Sequence, residues 1–381
     1  MGKIDRKDPL PLYLQIREDI REQIEGGVLP PGRRLPFERN LAAQYAVSRI
    51  TVKHALQDLA KEGLITRIRR KGTFVSLRRD APHVSASRTK SLALIIPDIE
   101  DVFVSEIYRG VADAAQERGY TVFILSSDRE IGKEAEHIRT LKDRHQDGAI
   151  IFPNWGRANA EQIFQLKREE FPFVLVNRYF RDIQTDYVVT DNRGGACDAV
   201  EHLVRLEHRR IGCIGWVECT AVEERLAGYR LALGRNRIPY YEGLVRSILD
   251  EGRDRYMGVE PATGGYEEMK RLLRLRRPPT AVFAVSDRLA VGAMRAVRER
   301  GLSVPGDVAL VGFDDVRYAA DLDLTTVAQP AFETGKKAAQ ILIEKMETRD
   351  RNGSVREFQQ IILPTKLIVR GSCGGNRSRT T

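Results

Sequence analysis

The sequence predicts an α/β protein in two parts: a small basic helix-turn-helix module with a β-hairpin wing, then a two-lobed domain of parallel sheets flanked by helices. Three observations carry this. First, 381 residues are too many for one ordinary domain, and the charge is unevenly placed. Residues 1–79 hold 17 Lys and Arg against 9 Asp and Glu, while the rest of a chain of net charge +9 contributes only +1. Second, a capped amphipathic helix follows a shorter helix across a three-residue gap. Third, from residue 92 onward short apolar runs alternate with helical segments.

Taken in order, Leu12, Ile16, Ile20 and Ile24 recur every four residues, and Gly26-Gly27 ends that first helix. VLPPGRRLP is a stiff Pro- and Gly-rich turn. FERNLAAQYA follows as a short helix with Leu41, Ala42 and Tyr45 inward. Tyr45-Ala46-Val47 leads to Ser48, an N-cap, and Val52, Ala55, Leu56 and Leu59 form the buried stripe of a helix over 49–62 that Gly63 ends. Its first turns expose Arg49, Ile50, Thr51, Lys53 and His54. Such an end offers charge, N–H groups and hydroxyls to an anion, although most faces of this kind are simply solvated. LITRI and GTFVS, joined by Arg69-Arg70-Lys71, read as a hairpin with a cationic tip.

Residues 10–75 resemble the winged helix-turn-helix of the GntR family. The matching pieces are PLYLQI, GGVLPPGRRLP, ER, LA, VSRITVKHAL, L-x-x-EGLI and KGTFV. The resemblance implies a recognition helix in the major groove and a wing at the minor groove, with DNA contacts carried over to Arg39, Ser48, Arg49, Thr51, Lys53, Arg70, Lys71 and Gly72. The physics agrees: arginine in a major groove pairs with guanine, and cations in a minor groove read its potential. The chain departs from the family where Phe37 replaces a serine N-cap and Asn40 a capping-box glutamate, and losing such a cap typically costs roughly 1 kcal/mol. Arg70 stands where the wing commonly has glycine.

Residues 76–91, SLRRDAPHVSASRTKS, read as a tether. Beyond it, the runs LALII, TVFIL, GAIIF, FVLV, IGCIG, AVFAV and VALVGF predict strands. Helices are expected near 105–118, 132–145, 159–170, 193–206, 222–235, 264–276, 287–300 and 332–347. Apolar strands alternating with helices make parallel sheets covered on both faces, and this length divides into two lobes. The domains are therefore expected at 1–75, 92–371 and, after them, a flexible tail at 372–381.

This larger part resembles the effector domain of the LacI family, which has the two-lobed periplasmic-binding-protein-like fold. The resemblance rests on SLALIIPD, EIYRGVADAAQERGY, DGAIIFP, VVTDNRGGACDAVEHLVRLEHRRIGCIG, ERLAGYRLAL, RPPTAVFAVSDRLAVGAMRAVRERGLSVPGDVALVGFDD and LTTVAQPAFETGKKAAQILIEKM. The pairing of the two modules resembles the arabinose-repressor class. It implies a ligand between the lobes at the carboxyl ends of the strands, where open α/β sheets bind ligands in general. By position the ligand residues fall on Phe103, Val104, Asn177, Trp216, Arg225 and Asp287, with Trp155 as a weaker candidate. Arg225 and Asp287 would suit a polyhydroxyl ligand. Asp287 also reads as an N-cap of DRLAVGAMRAVRER, Arg225 as a partner of Glu223, and Trp216 as interface packing. Asp314-Asp315 reads as a loop near the lobe crossover rather than an acid/base pair. Cys219 and Ala221 stand where purine-binding relatives carry arginine and threonine, which argues against a purine.

The expected protein is thus a cytoplasmic, ligand-responsive repressor of sugar-utilisation genes, a homodimer on double-stranded operator DNA, released by a small sugar. Ligand that tightens DNA binding is the alternative. No cofactor, metal or membrane is expected. The four cysteines form no C-x-x-C pair, the histidines no ligand cluster, and no apolar run or leader segment points to a membrane or export. Enzymatic function is not expected. An aminotransferase-like domain would need a Schiff-base lysine with an Asp partner, and no nucleophile elbow, P-loop or zinc motif is present. A sugar carrier unrelated to DNA would leave the basic head unexplained.

Overall fold

A computed structural model describes residues 11–61, 64–68, 72–76, 89–215, 219–247, 261–352 and 357–375. The chain divides into two compact units, Met1–Ser87 and Arg88–Thr381.

In the first unit, α1 (Leu12–Glu25), α2 (Glu38–Gln44) and α3 (Arg49–Lys61) precede a hairpin of β1 (Ile65–Ile68) and β2 (Gly72–Val75). The i, i+3, i+4, i+7 stripe of α3 is buried as its spacing requires: Val52, Ala55, Leu56 and Leu59 pack with Ile16, Ile20, Leu41 and Tyr45. The Tyr45 hydroxyl donates to the Asp19 carboxylate, which ties α2's end to α1. Residues 32–35 are more than a turn. Leu35 N–H donates to Thr73 O and Val75 N–H to Arg33 O, so this segment lies alongside β2. Phe37 supplies no side-chain cap to α2; instead the Arg34 guanidinium lies 4.6 Å over its ring.

The second unit has two lobes. The first is built from β3 (Ser91–Ile96), α4 (Val102–Glu117), β4 (Thr121–Ser126), α5 (Ile131–Thr140), β5 (Gly148–Ile151), α6 (Ala160–Arg168), β6 (Phe173–Val176) and β7 (Tyr187–Thr190). The second holds α7 (Asn192–Arg205), β8 (Ile211–Gly215), α8 (Thr220–Arg235), β9 (Val245–Ser247), α9 (Pro261–Leu273), β10 (Ala281–Ala284), α10 (Asp287–Glu299), β11 (Ala309–Asp314), α11 (Arg317–Asp321) and β12 (Thr325–Ala328). The chain then returns: α12 (Ala331–Asn352) and β13 (Gln360–Leu363) join the first lobe, and β14 (Lys366–Ile368) the second. Three crossovers result, at 190–192, 328–331 and 363–366. They are tied together: Asp191 N–H donates to Leu363 O at 2.8 Å, and the Thr190 hydroxyl to Gln329 Oε1 at 2.7 Å.

The first sheet runs β13-β7-β6-β5-β3-β4, all parallel; the second runs β14-β12-β11-β10-β8-β9, parallel except for β14. Central strands such as β3, β6 and β10 are buried at every residue, as strands covered on both faces must be. Helices α4 and α12 cross closely because Gly110 and Gly335 have no Cβ: one at Gly110 would fall 1.9 Å from Phe332 O, and one at Gly335 2.0 Å from Ile107 O.

One boundary is corrected. The tail does not begin at 372. Ser372 and Cys373 are buried in the second lobe, where the Ser372 hydroxyl donates to Leu310 O at 2.7 Å and accepts from Thr325 N–H at 2.8 Å. Most of the expected tether lies outside the described residues, and its last residue, Ser91, opens β3.

Candidate functional sites

The cleft between the two lobes encloses a cavity of about 120 Å³. Its walls come from the carboxyl ends of the strands in both sheets, the place where open α/β sheets leave room for a ligand. The first lobe contributes Asp101 and Phe103 after β3, Arg129 after β4, Phe152 and Trp155 after β5, and Asn177 and Arg178 after β6. The second contributes Arg225 from α8, Ser286 and Arg288 after β10, Asp314 at the end of β11 and Gln329 after β12.

Arg225 is the best-defined of these. It is 5% exposed. Its Nε donates to Asn192 Oδ1 at 2.8 Å, its Nη1 donates to Val285 O at 2.6 Å, and it faces Asp314 Oδ1 at 3.3 Å. The guanidinium carbon lies 3.8 Å over the Phe313 ring. Burial lowers its proton affinity, with Asp314 opposing. Asp314 also accepts from the Gln329 amide at 2.6 Å. Burial pushes its carboxyl up to about 6, with the Arg225 charge pulling the other way. Its backbone has φ 123°, a region costly for a residue with a Cβ and found where a site over-determines the chain. Asn177 turns tightly after β6 at φ 62°, a left-handed conformation that asparagine tolerates. That turn brings Asn177 and Arg178 to the same cavity.

A cross-lobe ion pair closes the cleft: Arg288 of the second lobe lies 3.3 Å from Asp101 of the first, while Arg129 lies 2.8 Å from Asp98 within the first lobe. Elsewhere the Tyr179 hydroxyl donates to Glu224 at 2.9 Å, and Arg317 pairs with Glu106 at 3.4 Å.

Of the residues expected at the ligand, Phe103, Asn177 and Arg225 line the cavity, as does Trp155. Two do not. Val104 is 2% exposed in the first lobe's core, because one helical step turns it from the cleft to the sheet-facing side of α4. Asp287 is fully buried: one carboxylate oxygen accepts from Val316 N–H at 3.1 Å and the other from the Thr326 hydroxyl at 2.6 Å. It holds the loop after β11, and burial, with the Asp314 charge adding to it, raises its carboxyl well above the ordinary range. Nor is it the cap of α10; Ser286 is, accepting from Leu289 N–H. Arg225 pairs with Asp314 rather than Glu223. Trp216 lies outside the described residues. Arg178 and Gln329, which no expectation named, also line the cavity, as does Asp314, expected only in a loop near the lobe crossover. The signals available were the Asn-Arg pair closing the FVLV run and the first carboxylate of VGFDD, whose strand end faces the same crevice.

In the first unit, the Ser48 hydroxyl accepts from Thr51 N–H at 3.1 Å and meets the Thr51 hydroxyl at 2.8 Å, so both set the start of α3. Arg49 and Lys53 project from that first turn into solvent, and Arg39 is exposed on α2. Ile50, an apolar side chain, is 79% exposed. Gly72 opens β2 at φ 120°, and a Cβ there would meet Arg34 Nε at 2.8 Å. Arg70 and Lys71 lie outside the described residues.

Comparison with known proteins places these features. Residues 12–75 match the bacterial regulatory proteins of the gntR family, and residues 200–373 match the periplasmic binding protein-like domain. The arabinose metabolism transcriptional repressor of Geobacillus stearothermophilus is 31% identical over 372 residues, 96% of this chain and 99% of its own length. A LacI family transcriptional regulator from Enterococcus faecium, solved with bound ribose, superposes with a TM-score of 0.62 at 27% identity, covering 74% of this chain and 98% of that one. The transcriptional regulator CelR in complex with cellobiose gives a TM-score of 0.63 at 27% identity, over 89% and 100%.

Proposed function

The chain belongs to the family of transcription regulators that join a GntR-type DNA-binding domain to a periplasmic-binding-protein-like domain, and from that premise we propose that it represses sugar-utilisation genes and leaves its operator when a small sugar-type effector fills the cleft. The observation that carries the effector reading is the cavity between the lobes, which Phe103 and Trp155 line together with Arg225 and Asp314. A pyranose or furanose presents both a C–H face and hydroxyls, and such a wall meets each with its own chemistry.

On the DNA side, Arg49 and Lys53 contact base edges and phosphates from α3, while Ile50 meets a thymine methyl. A single head buries little surface on DNA, so the working form is a homodimer on a near-palindromic operator. It acts inside the cell, where its operator is. Ligand bound between the lobes favours one arrangement of the sensor over another. That differential affinity, typically 1–3 kcal/mol in such couplings, is what alters operator binding.

The test is a thermal-shift screen of the intact protein against pentoses and hexoses, in neutral, acid and phosphorylated forms. Titration of the operator complex with the compounds that stabilise it follows. A stabilising compound that releases the operator supports the reading. One that tightens the complex makes the protein a corepressor-type regulator, and no response to any compound removes the sugar reading.

A further inference from the structure

Resting on the sugar reading above, we propose that the effector is an acidic sugar, whose carboxylate or phosphate sits against Arg178 and the start of α8. Four arginines line the central cavity, and three are matched: Arg225 by Asp314 at 3.3 Å, Arg129 by Asp98 at 2.8 Å and Arg288 by Asp101 at 3.3 Å. Arg178 makes no ion pair among the described residues. Its Nη1 donates to Pro153 O at 2.9 Å, and its Nε is buried with no acceptor among the described residues. The guanidinium is held 5.1 Å from the centre of the Phe152 ring, so it is positioned rather than free to swing into solvent. Glu134, on which the Arg178 charge acts, accepts from Asn154 N–H at 2.7 Å and from the Asn159 amide at 3.0 Å. Burial raises that carboxyl, with its two hydrogen bonds and the Arg178 charge pulling the other way.

The remaining polar groups point the same way. Gln329 has both ends engaged, with Thr190 and Asp314. Asp314 already accepts from Arg225 and Gln329, both on one oxygen, Oδ1. Helix α8 runs for 16 residues and begins at the cavity: Cys219, Ala221 and Val222 line it, and Cys219 gives no side-chain cap. What these groups leave open beside Arg178 is its positive charge and its Nε donor, with the buried Asn154 Oδ1 as an acceptor nearby. A neutral hydroxyl brings an O–H donor along with its acceptor lone pairs, whereas a carboxylate or phosphate is acceptor-only and charged. There is room for such a group. A second pocket of about 270 Å³ adjoins the cavity and shares Arg178 and Cys219 with it. Its other two arginines are neutralised, Arg157 by Asp182 at 2.6 Å and Arg181 by Glu223 at 3.5 Å. Arg178 is left as the charge that selects.

The experiment is calorimetric titration of the intact protein with three matched sets: neutral aldoses, the aldonic and uronic acids derived from them, and their phosphates. Wild type is run beside Arg178→Gln and Arg178→Lys, and the unliganded melting temperature of each variant checks its fold. The expected result is that an acid or a phosphate binds at least tenfold more tightly than its neutral parent. Arg178→Gln abolishes that preference and Arg178→Lys keeps much of it. Preference for acids over phosphates, or the reverse, identifies the group. Neutral aldoses that bind as tightly as their acids, with Arg178→Gln unchanged, overturn the inference and leave the sugar reading standing. If no set binds, both fall.

Discussion

Asp314 and Arg225 show how one residue pair sets a response. The Asp314 carboxyl is raised to about 6 because it is buried, even with the Arg225 charge beside it. A native value above the unfolded one means the folded protein holds the proton more tightly. Its contribution to stability therefore falls as pH rises from about 4 to about 6 and is level above that. Binding has the opposite sign: a ligand hydroxyl that donates to Asp314 needs the ionised form. We expect affinity for the tightest ligand of the screen to be flat above pH 7 and to fall as pH drops below about 6, by up to tenfold per unit. Asp314→Asn should flatten that profile, and isothermal titration between pH 5 and 8 measures both. In the head, Arg49→Ala should weaken specific operator binding by roughly 1–3 kcal/mol and relax base preference. Fluorescence anisotropy with operator and scrambled duplexes would read the difference, and equal loss on both would demote Arg49 to a phosphate contact.

At the scale of elements, legibility followed burial. The seven apolar runs of the larger unit all became strands; for those covered on both faces that is because such a strand has to be apolar at every position, whereas β4 lies at the sheet edge and leaves Phe123 49% exposed. Helix α3 was readable from its stripe and its Ser48 cap. The missed strands are short or lie toward edges: β13 alternates exposed and half-buried residues, and β12 (TTVA) carries threonines that the local pattern does not mark as core. The site was only half legible for a related reason. A side chain's neighbours in sequence do not say which way its helix turns it, so sequence alone does not separate Phe103, which lines the cleft, from Val104, which does not. Asp287 was drawn to the ligand by its place after a strand, when two protein donors consume its oxygens. The crossing of α4 and α12 is an element-scale demand of the same kind, set by two glycines far apart in sequence. A Cβ at position 110 cannot fit 1.9 Å from a carbonyl oxygen, so Gly110→Ala must push the helices apart. We expect a loss of about 1–3 kcal/mol, read as a lowered denaturation midpoint. A variant as stable as wild type would show that the helices separate freely.

For the whole molecule, what matters is that closure of the lobes can be loosened without touching either the DNA-reading helix or the buried core. The Arg288–Asp101 pair joins second lobe to first, and both side chains remain about a quarter exposed. Such a pair adds little to folding stability. Its effect falls on the balance between lobe arrangements, because it exists only when the lobes are together. Arg288→Gln should therefore leave the melting temperature of the unliganded protein nearly unchanged and reduce the fraction of molecules poised to bind. Apparent ligand affinity falls by that fraction. The shortfall should be a few-fold and should shrink in high salt, where the wild-type pair is itself screened. Charge reversal supplies the control: Arg288→Glu should be worse than Arg288→Gln, and Arg288→Glu combined with Asp101→Arg should recover part of the loss. The measurement is release of a labelled operator by the screened ligand at two salt concentrations, with operator affinity in the absence of ligand taken for each variant. If Arg288→Gln loses ligand affinity equally at low and high salt, and the double reversal restores nothing, Arg288 acts as a direct ligand contact. Closure would then rest on the Tyr179–Glu224 and Arg317–Glu106 contacts instead.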